Sequence, residues 1–88
     1  MATIEKKCWP EYFEAILKGE KKFEIRLADF EIKPGDTLVL REYDPKTKTY
    51  TGREARKEAG FVSNSKDWKV WTQKELKKHG FYVIGFKE

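Results

Sequence analysis

LKGEKKFEIR, Leu17 to Arg26, decides how this chain is read. It begins as the end of a helix, turns at Gly19 and continues as a strand. Glycine is the usual stop just past a helix, because it takes the left-handed backbone that closes the last turn without a steric cost. From Lys22 to Leu27 the residues alternate, and a strand sends alternate side chains to opposite faces. Phe23, Ile25 and Leu27 fall on one face, and Lys22, Glu24 and Arg26 on the other. Apolar side chains gain by leaving water. The expectation is therefore that Phe23, Ile25 and Leu27 serve the core and that Glu24 and Arg26 point away from it. Lys21 stands between the glycine turn and the strand, within reach of both.

A Lys, a Glu and an Arg beside a helix–strand junction have a chemistry that scattered charges lack. Arginine offers a planar fork to a phosphate, a carboxylate or a base edge. Glutamate accepts hydrogen bonds from an amino or hydroxyl group, and lysine supplies a point charge. The residues alone leave two readings open: a solvated face carrying a weak ion pair, or a ligand site at Lys21, Glu24 and Arg26.

Working outward, Thr3 to Cys8 can form a short strand. Pro10 then opens a helix, since its missing N–H is not needed at the first helical position. Tyr12, Phe13, Ile16 and Leu17 recur at helical spacing and predict one buried face. After the motif, Lys33-Pro34-Gly35-Asp36 is a turn, and Thr37 to Tyr43 is a strand rich in Leu and Val. Asp44 to Lys48 turns again and Thr49 to Thr51 restarts a strand. Residues 53 to 60 are ambiguous. Local propensity favours helix, whereas a hairpin partner for Thr37 to Tyr43 requires strand. Thr72 and Glu75 form a capping box for a second short helix that Gly80 ends. Phe81 to Phe86 is apolar on both faces and predicts a central strand. About five or six strands joined by tight turns, with two short helices, suggest one small, mainly β, barrel-like domain over residues 1–88.

The 88 residues can bury one modest core. An aromatic content of 15% argues against disorder despite 39% charged residues. No apolar run approaches the ~18 residues of a membrane span. The stretch MATIEKKCWPEYF has no signal-peptide core, so a cytoplasmic protein without a membrane partner is expected. Cys8 and His79, the one Cys and the one His, cannot supply the four ligands of a structural zinc site, and structural roles are expected for both. The net charge of +4 permits a phosphate-bearing partner without demanding one. Abundant Lys and Glu with few Asn, Gln, Cys and Met is the pattern of proteins from hot environments. Trp9, just before the first helix, and Trp68 and Trp71, before the second, are each either core or a surface that can stack on a base, and Tyr50 stands at a strand start. The run Lys46, Lys48, Arg53, Arg56 and Lys57, broken by Glu54 and Glu58, reads as a solvated strand pair rather than a phosphate track.

Gly19-Glu20-Lys21-Lys22-Phe23-Glu24-Ile25-Arg26 resembles the G-x-K-x-x-E/T-x-R signature of the ASCH-domain family, part of the PUA-like superfamily. KPGDTLVLREYDP and FYVIGF resemble that family's second and closing strands, so the likeness covers nearly the whole chain. It implies a PUA-like β pseudobarrel with flanking helices, strand over residues 53 to 60, and a cleft beside the motif for RNA or a nucleotide-like molecule. On that likeness Lys21, Glu24 and Arg26 would bind ligand, with Trp9 added as a stacking candidate from its place before the helix, Gly19 would make the motif's turn, and no metal or organic cofactor is implied. Some members of that family resemble an amidohydrolase acting on acylated cytidines through a Lys, a Thr and a distal Glu. The Lys carries over to Lys21. The Thr position holds Glu24, which has no hydroxyl, and only Asp67 is a candidate for the distal acid. The leading expectation is an RNA- or nucleotide-binding domain. The alternative is a nucleoside amidohydrolase using Lys21 and Glu24, and the third is a non-catalytic interaction domain.

Overall fold

The structure, a computed structural model, describes residues 1–67 and 80–87. In chain order the elements are β1 (Thr3–Cys8), α1 (Pro10–Leu17), β2 (Phe23–Leu27), β3 (Thr37–Asp44), β4 (Thr49–Asn64), a single 3-10 turn at Ser65–Asp67, and β5 (Phe81–Phe86). The predicted second helix, with Trp68, Trp71 and His79, lies outside the described residues. The five strands form a mixed sheet in the order β1-β3-β4-β5-β2. β1 runs parallel to β3, and the other three pairings are antiparallel. The mainly β architecture and the central place of Phe81–Phe86 match the sequence expectation. Among the described residues no helix is long and apolar enough to cross a membrane.

β4 is what curls the sheet. Its first part pairs with β3, and its last part, from Ala59, pairs with β5. The ladder slips between Ala59 and Val62, where β4 advances three residues and β5 two, from Phe86 to Ile84. Such a bulge bends a strand and raises its twist. Gly60 sits at the bend because a Cβ there would lie 3.3 Å from the Gly85 carbonyl oxygen and 3.3 Å from the Lys87 nitrogen. Residues 53 to 60 are therefore strand, against local propensity. Ala55 and Ala59 are buried on its inner side, Ala55 opposite Leu40.

The core fills the concave side of this sheet. Leu38 and Leu40 of β3, Ala55 and Ala59 of β4, and Ile84 of β5 meet Phe13 and Ile16, which α1 lowers onto them. Ile32 joins from the β2–β3 connection. The amino end is tied down by Asp36, whose carboxylate accepts from the Ala2 and Lys33 amides, both at 2.9 Å. These bonds hold its carboxyl below the ordinary 3.8.

Two expectations about faces are corrected. Phe23, Ile25 and Leu27 are exposed, Ile25 at 57%, whereas Glu24 is buried at 4%. The inner side of β2 is the charged one. β2 is an edge strand, and its inner side lies at the rim of the sheet, where a polar site is built, rather than over the packed centre. Its apolar side lies on the outer sheet surface, paired in register with Phe81, Val83 and Gly85. On α1, Phe13 and Ile16 are buried as expected, but Tyr12 and Leu17 are half exposed. Eight residues make barely two turns, enough for a narrow buried stripe only.

Candidate ligand-binding cleft

The site starts at the helix end. Gly19, at φ +77°, follows the last helical residues in a complete Schellman arrangement. The Gly19 amide donates to the Ile16 carbonyl at 3.1 Å and the Glu20 amide to the Ala15 carbonyl at 3.0 Å. The Lys21 amide also reaches the Ala15 carbonyl, at 3.1 Å. The cap thus fixes where Lys21 leaves the helix, and β2 begins two residues later.

Lys21, Glu24 and Arg26 converge as the motif suggested. Lys21 Nζ donates to Glu24 Oε1 at 2.5 Å and to the Phe23 carbonyl at 2.7 Å. Arg26 Nε donates to Glu24 Oε2 at 2.8 Å. Arg26 Nη2 donates to the Lys7 carbonyl at 2.5 Å. Burying a carboxylate is costly unless it is paired and hydrogen-bonded, and here each oxygen of Glu24 has a cation. Among the described residues Arg26 Nη1 and the third proton of Lys21 have no hydrogen-bond partner, and the Lys21 ammonium lies 4.9 Å from the Phe23 ring centroid.

The location follows from the sheet. Among the described residues β1 and β2 are the two edge strands, each paired with one neighbour. The cleft opens where their ends approach without pairing. It encloses about 520 Å³ and is lined by Lys7, Cys8 and Trp9 from the end of β1, Tyr12 from α1, and Lys21 and Phe23–Arg26 from the motif. Three lining residues are cationic and one is anionic. Trp9, Tyr12 and Phe23 are each about half exposed and form aromatic walls.

Trp9 lines the same cleft as the motif trio. Tyr12 and Lys7 were missed. Helical spacing predicts Tyr12 on the buried face of α1; the structure places it half exposed on the cleft wall, one turn after Trp9. Lys7 contributes through its backbone carbonyl, which leaves no side-chain signature. Asp67, the candidate distal acid, is exposed on the 3-10 turn and does not line the cleft. Tyr50, in β4 as expected of a strand start, is half exposed on the outer surface of the β3–β4 hairpin.

Cys8 is 3% exposed at the cleft floor. Burial, with the Glu24 charge nearby, pushes its thiol up to about 11. A neutral buried thiol is neither a nucleophile nor a metal ligand. Among the described residues no group of His, Cys, Asp and Glu could hold a metal ion.

A second ionic cluster positions α1 over the core. Arg53 forks onto buried Glu42, Nε to Oε1 at 2.9 Å and Nη2 to Oε2 at 3.0 Å, while Nη2 also reaches Glu14 Oε1 on α1 at 2.6 Å. Thr51 Oγ1 adds a bond to Glu42 at 2.6 Å. The Arg53 and Thr51 bonds hold the Glu42 carboxyl below its ordinary value, and the two carboxylates push Arg53 up. Arg53 is thereby withdrawn from the basic run read in the sequence.

The same fold recurs in the crystal structure of hypothetical protein PH0355, with a TM-score of 0.65 at 20% identity over 99% of this chain and 98% of that one. An uncharacterised 12.9 kDa protein encoded 3′ of GpA in Escherichia phage P2 is 36% identical over 69 residues. The match takes in 77% of this chain and spans 62% of the length of that relative. Residues 3–85 match the family model described as domain of unknown function DUF3850, and the chain belongs to that family.

Proposed function

We propose that this domain binds RNA or a nucleotide-like ligand in the cleft between its two edge strands. The observation that carries the reading is Glu24, buried and held between Lys21 and Arg26 at the floor of an aromatic-walled cleft. The acid fixes both cations in place, so they meet a ligand already oriented. Arg26 Nη1 and the Lys21 proton that has no hydrogen-bond partner among the described residues then face an anionic or carbonyl oxygen. Trp9 and Tyr12 offer ring surface to a base, a contact that tolerates any base because every base has a π-face. The likeness of Gly19–Arg26 to the ASCH signature supports the same ligand class, and a cytoplasmic setting belongs to the proposal.

The test is calorimetric titration with nucleoside monophosphates, comparing the wild-type chain with Trp9→Ala and Arg26→Lys. Trp9 is half exposed, so its removal leaves the core untouched. An affinity loss of about fivefold or more in Trp9→Ala supports the reading. Binding that is indifferent to both substitutions, or no binding of nucleotides or RNA, overturns it.

A further inference from the structure

The cleft does not end at Lys7. Its rim continues over the outer surface of the sheet as an unbroken row of cation–aromatic contacts. Lys7 lines the cleft, and its ammonium lies 4.2 Å from the Tyr43 ring centroid. Tyr43 meets Tyr50 edge to face across the β3–β4 pair, centroids 5.2 Å apart. The Arg41 guanidinium lies 4.0 Å over the Tyr50 ring. Beyond it, the hairpin tip carries exposed Lys46 and Lys48.

None of this row belongs to the core cluster. Cross-strand pairs such as Tyr43–Tyr50 stabilise a hairpin modestly. Hairpin stability does not require Lys7 and Arg41 each to lie on a ring, nor the row to begin at the mouth of the cleft. Both features suit a strand of alternating phosphates and bases: a cation held on a ring presents charge and a stacking surface together. Glu5, 3.7 Å from Arg41, and Glu54, opposite Arg41 in register, border the far side of the row and confine its positive side to the Lys7 edge and the hairpin tip.

We infer that Lys7, Tyr43, Tyr50 and Arg41 form a second nucleotide subsite continuous with the cleft, so that the partner is a single-stranded nucleic acid of several nucleotides rather than a free nucleotide. The inference rests on the cleft binding a nucleotide. One base enters the cleft against Trp9. The next phosphate meets Lys7, and a following base stacks at Tyr50 and Arg41.

The experiment is fluorescence anisotropy on the full 88-residue chain with labelled single-stranded RNA and DNA of mixed sequence, about two, four and eight nucleotides long. A nucleoside monophosphate serves as competitor. Affinity should rise about tenfold or more from the mononucleotide to an oligomer of about four. Tyr50→Ala and Arg41→Gln should each remove about fivefold or more of the oligomer affinity and leave the monophosphate affinity unchanged. Trp9→Ala should weaken both. The far-UV circular dichroism of each variant should match wild type, and Tyr50→Leu, which keeps apolar bulk at the hairpin, should show the same loss. Length-independent affinity with wild-type behaviour in the Tyr50 and Arg41 variants overturns the subsite and spares the cleft. Failure of every probe, the monophosphate included, overturns both. Polyglutamate competing as well as the oligomer also overturns the subsite, since it has no base to stack.

Discussion

Arg26 and Lys7 stand on the two edge strands of one sheet, and the Arg26 guanidinium donates to the Lys7 carbonyl across the gap between them. The same guanidinium holds Glu24 through Nε. One side chain therefore spans the gap between the two edge strands and lines the cleft.

Arg26→Ala should lower stability by about 1.5–3 kcal/mol in urea titration, the usual worth of hydrogen bonds to charged groups. Arg26→Lys keeps the charge but cannot serve Glu24 and Lys7 at once, so it should lose less stability while still weakening binding. An Arg26→Ala variant as stable as wild type would mean that the gap needs no such bridge.

Outer and inner faces of the sheet should respond oppositely to mutation. Ile84→Ala should cost about 2–5 kcal/mol, since Ile84 is fully buried. Ile25→Thr should stay within about 0.5 kcal/mol despite its place in an apolar alternation. Equal destabilisation of the two in thermal or urea unfolding would show that the apolar face of β2 is the packed one.

Acid should weaken the fold through Asp36 and Glu42. Both folded carboxyls lie below their ordinary values of 3.8 and 4.5. Their stabilisation is then fully present above those values and is lost as pH falls through the lower, folded ones. Denaturation midpoints measured from pH 6 down to about pH 2 should fall steeply below about pH 4.5. Asp36→Asn and Glu42→Gln should each be less stable at pH 7 and show a shallower acid slope. Unchanged slopes in both variants would assign the acid loss elsewhere.

Cys8 should be silent in the native protein. Its thiol is raised from 9.0 to about 11, which alone lowers the thiolate fraction at pH 8 about 100-fold. The stability linked to this shift is complete below pH 9.0 and is lost as pH rises towards 11. Reaction with a chromogenic disulfide reagent should be slow in buffer and immediate in denaturant. Rapid native labelling would mean that the cleft floor opens to solvent.

Deacylation of acylated cytidine should not occur. Glu24 stands where the amidohydrolase-like pattern has a hydroxyl, and both its oxygens are engaged by Lys21 and Arg26. Asp67 lies outside the cleft, so Glu24→Thr alone should not create the activity. Chromatographic detection of free cytidine from the wild-type chain, lost on Lys21→Ala, would make the enzyme reading the stronger one.

Much of the site is local and was legible in the sequence. A glycine past a helix closes a Schellman turn whatever surrounds it, and a strand's period of two puts Glu24 and Arg26 on one side. Lys21, Glu24 and Arg26 meet because they are five residues of chain apart at most. What local rules leave open is which side is in. Alternation separates the faces of β2, and only the docking of β2 on β5 at the sheet edge turned the charged face inward. The segment 53–60 shows a similar degeneracy. Ala55 and Ala59 are four apart, a spacing that shares a face in a helix and in a strand alike, so local sequence cannot choose. β3 on one side and β5 beyond the Gly60 bend chose strand by satisfying its backbone hydrogen bonds. The contribution of Lys7 belongs to the same class. A backbone carbonyl is common to every residue type, and only the approach of β1 to β2 brought this one to Arg26.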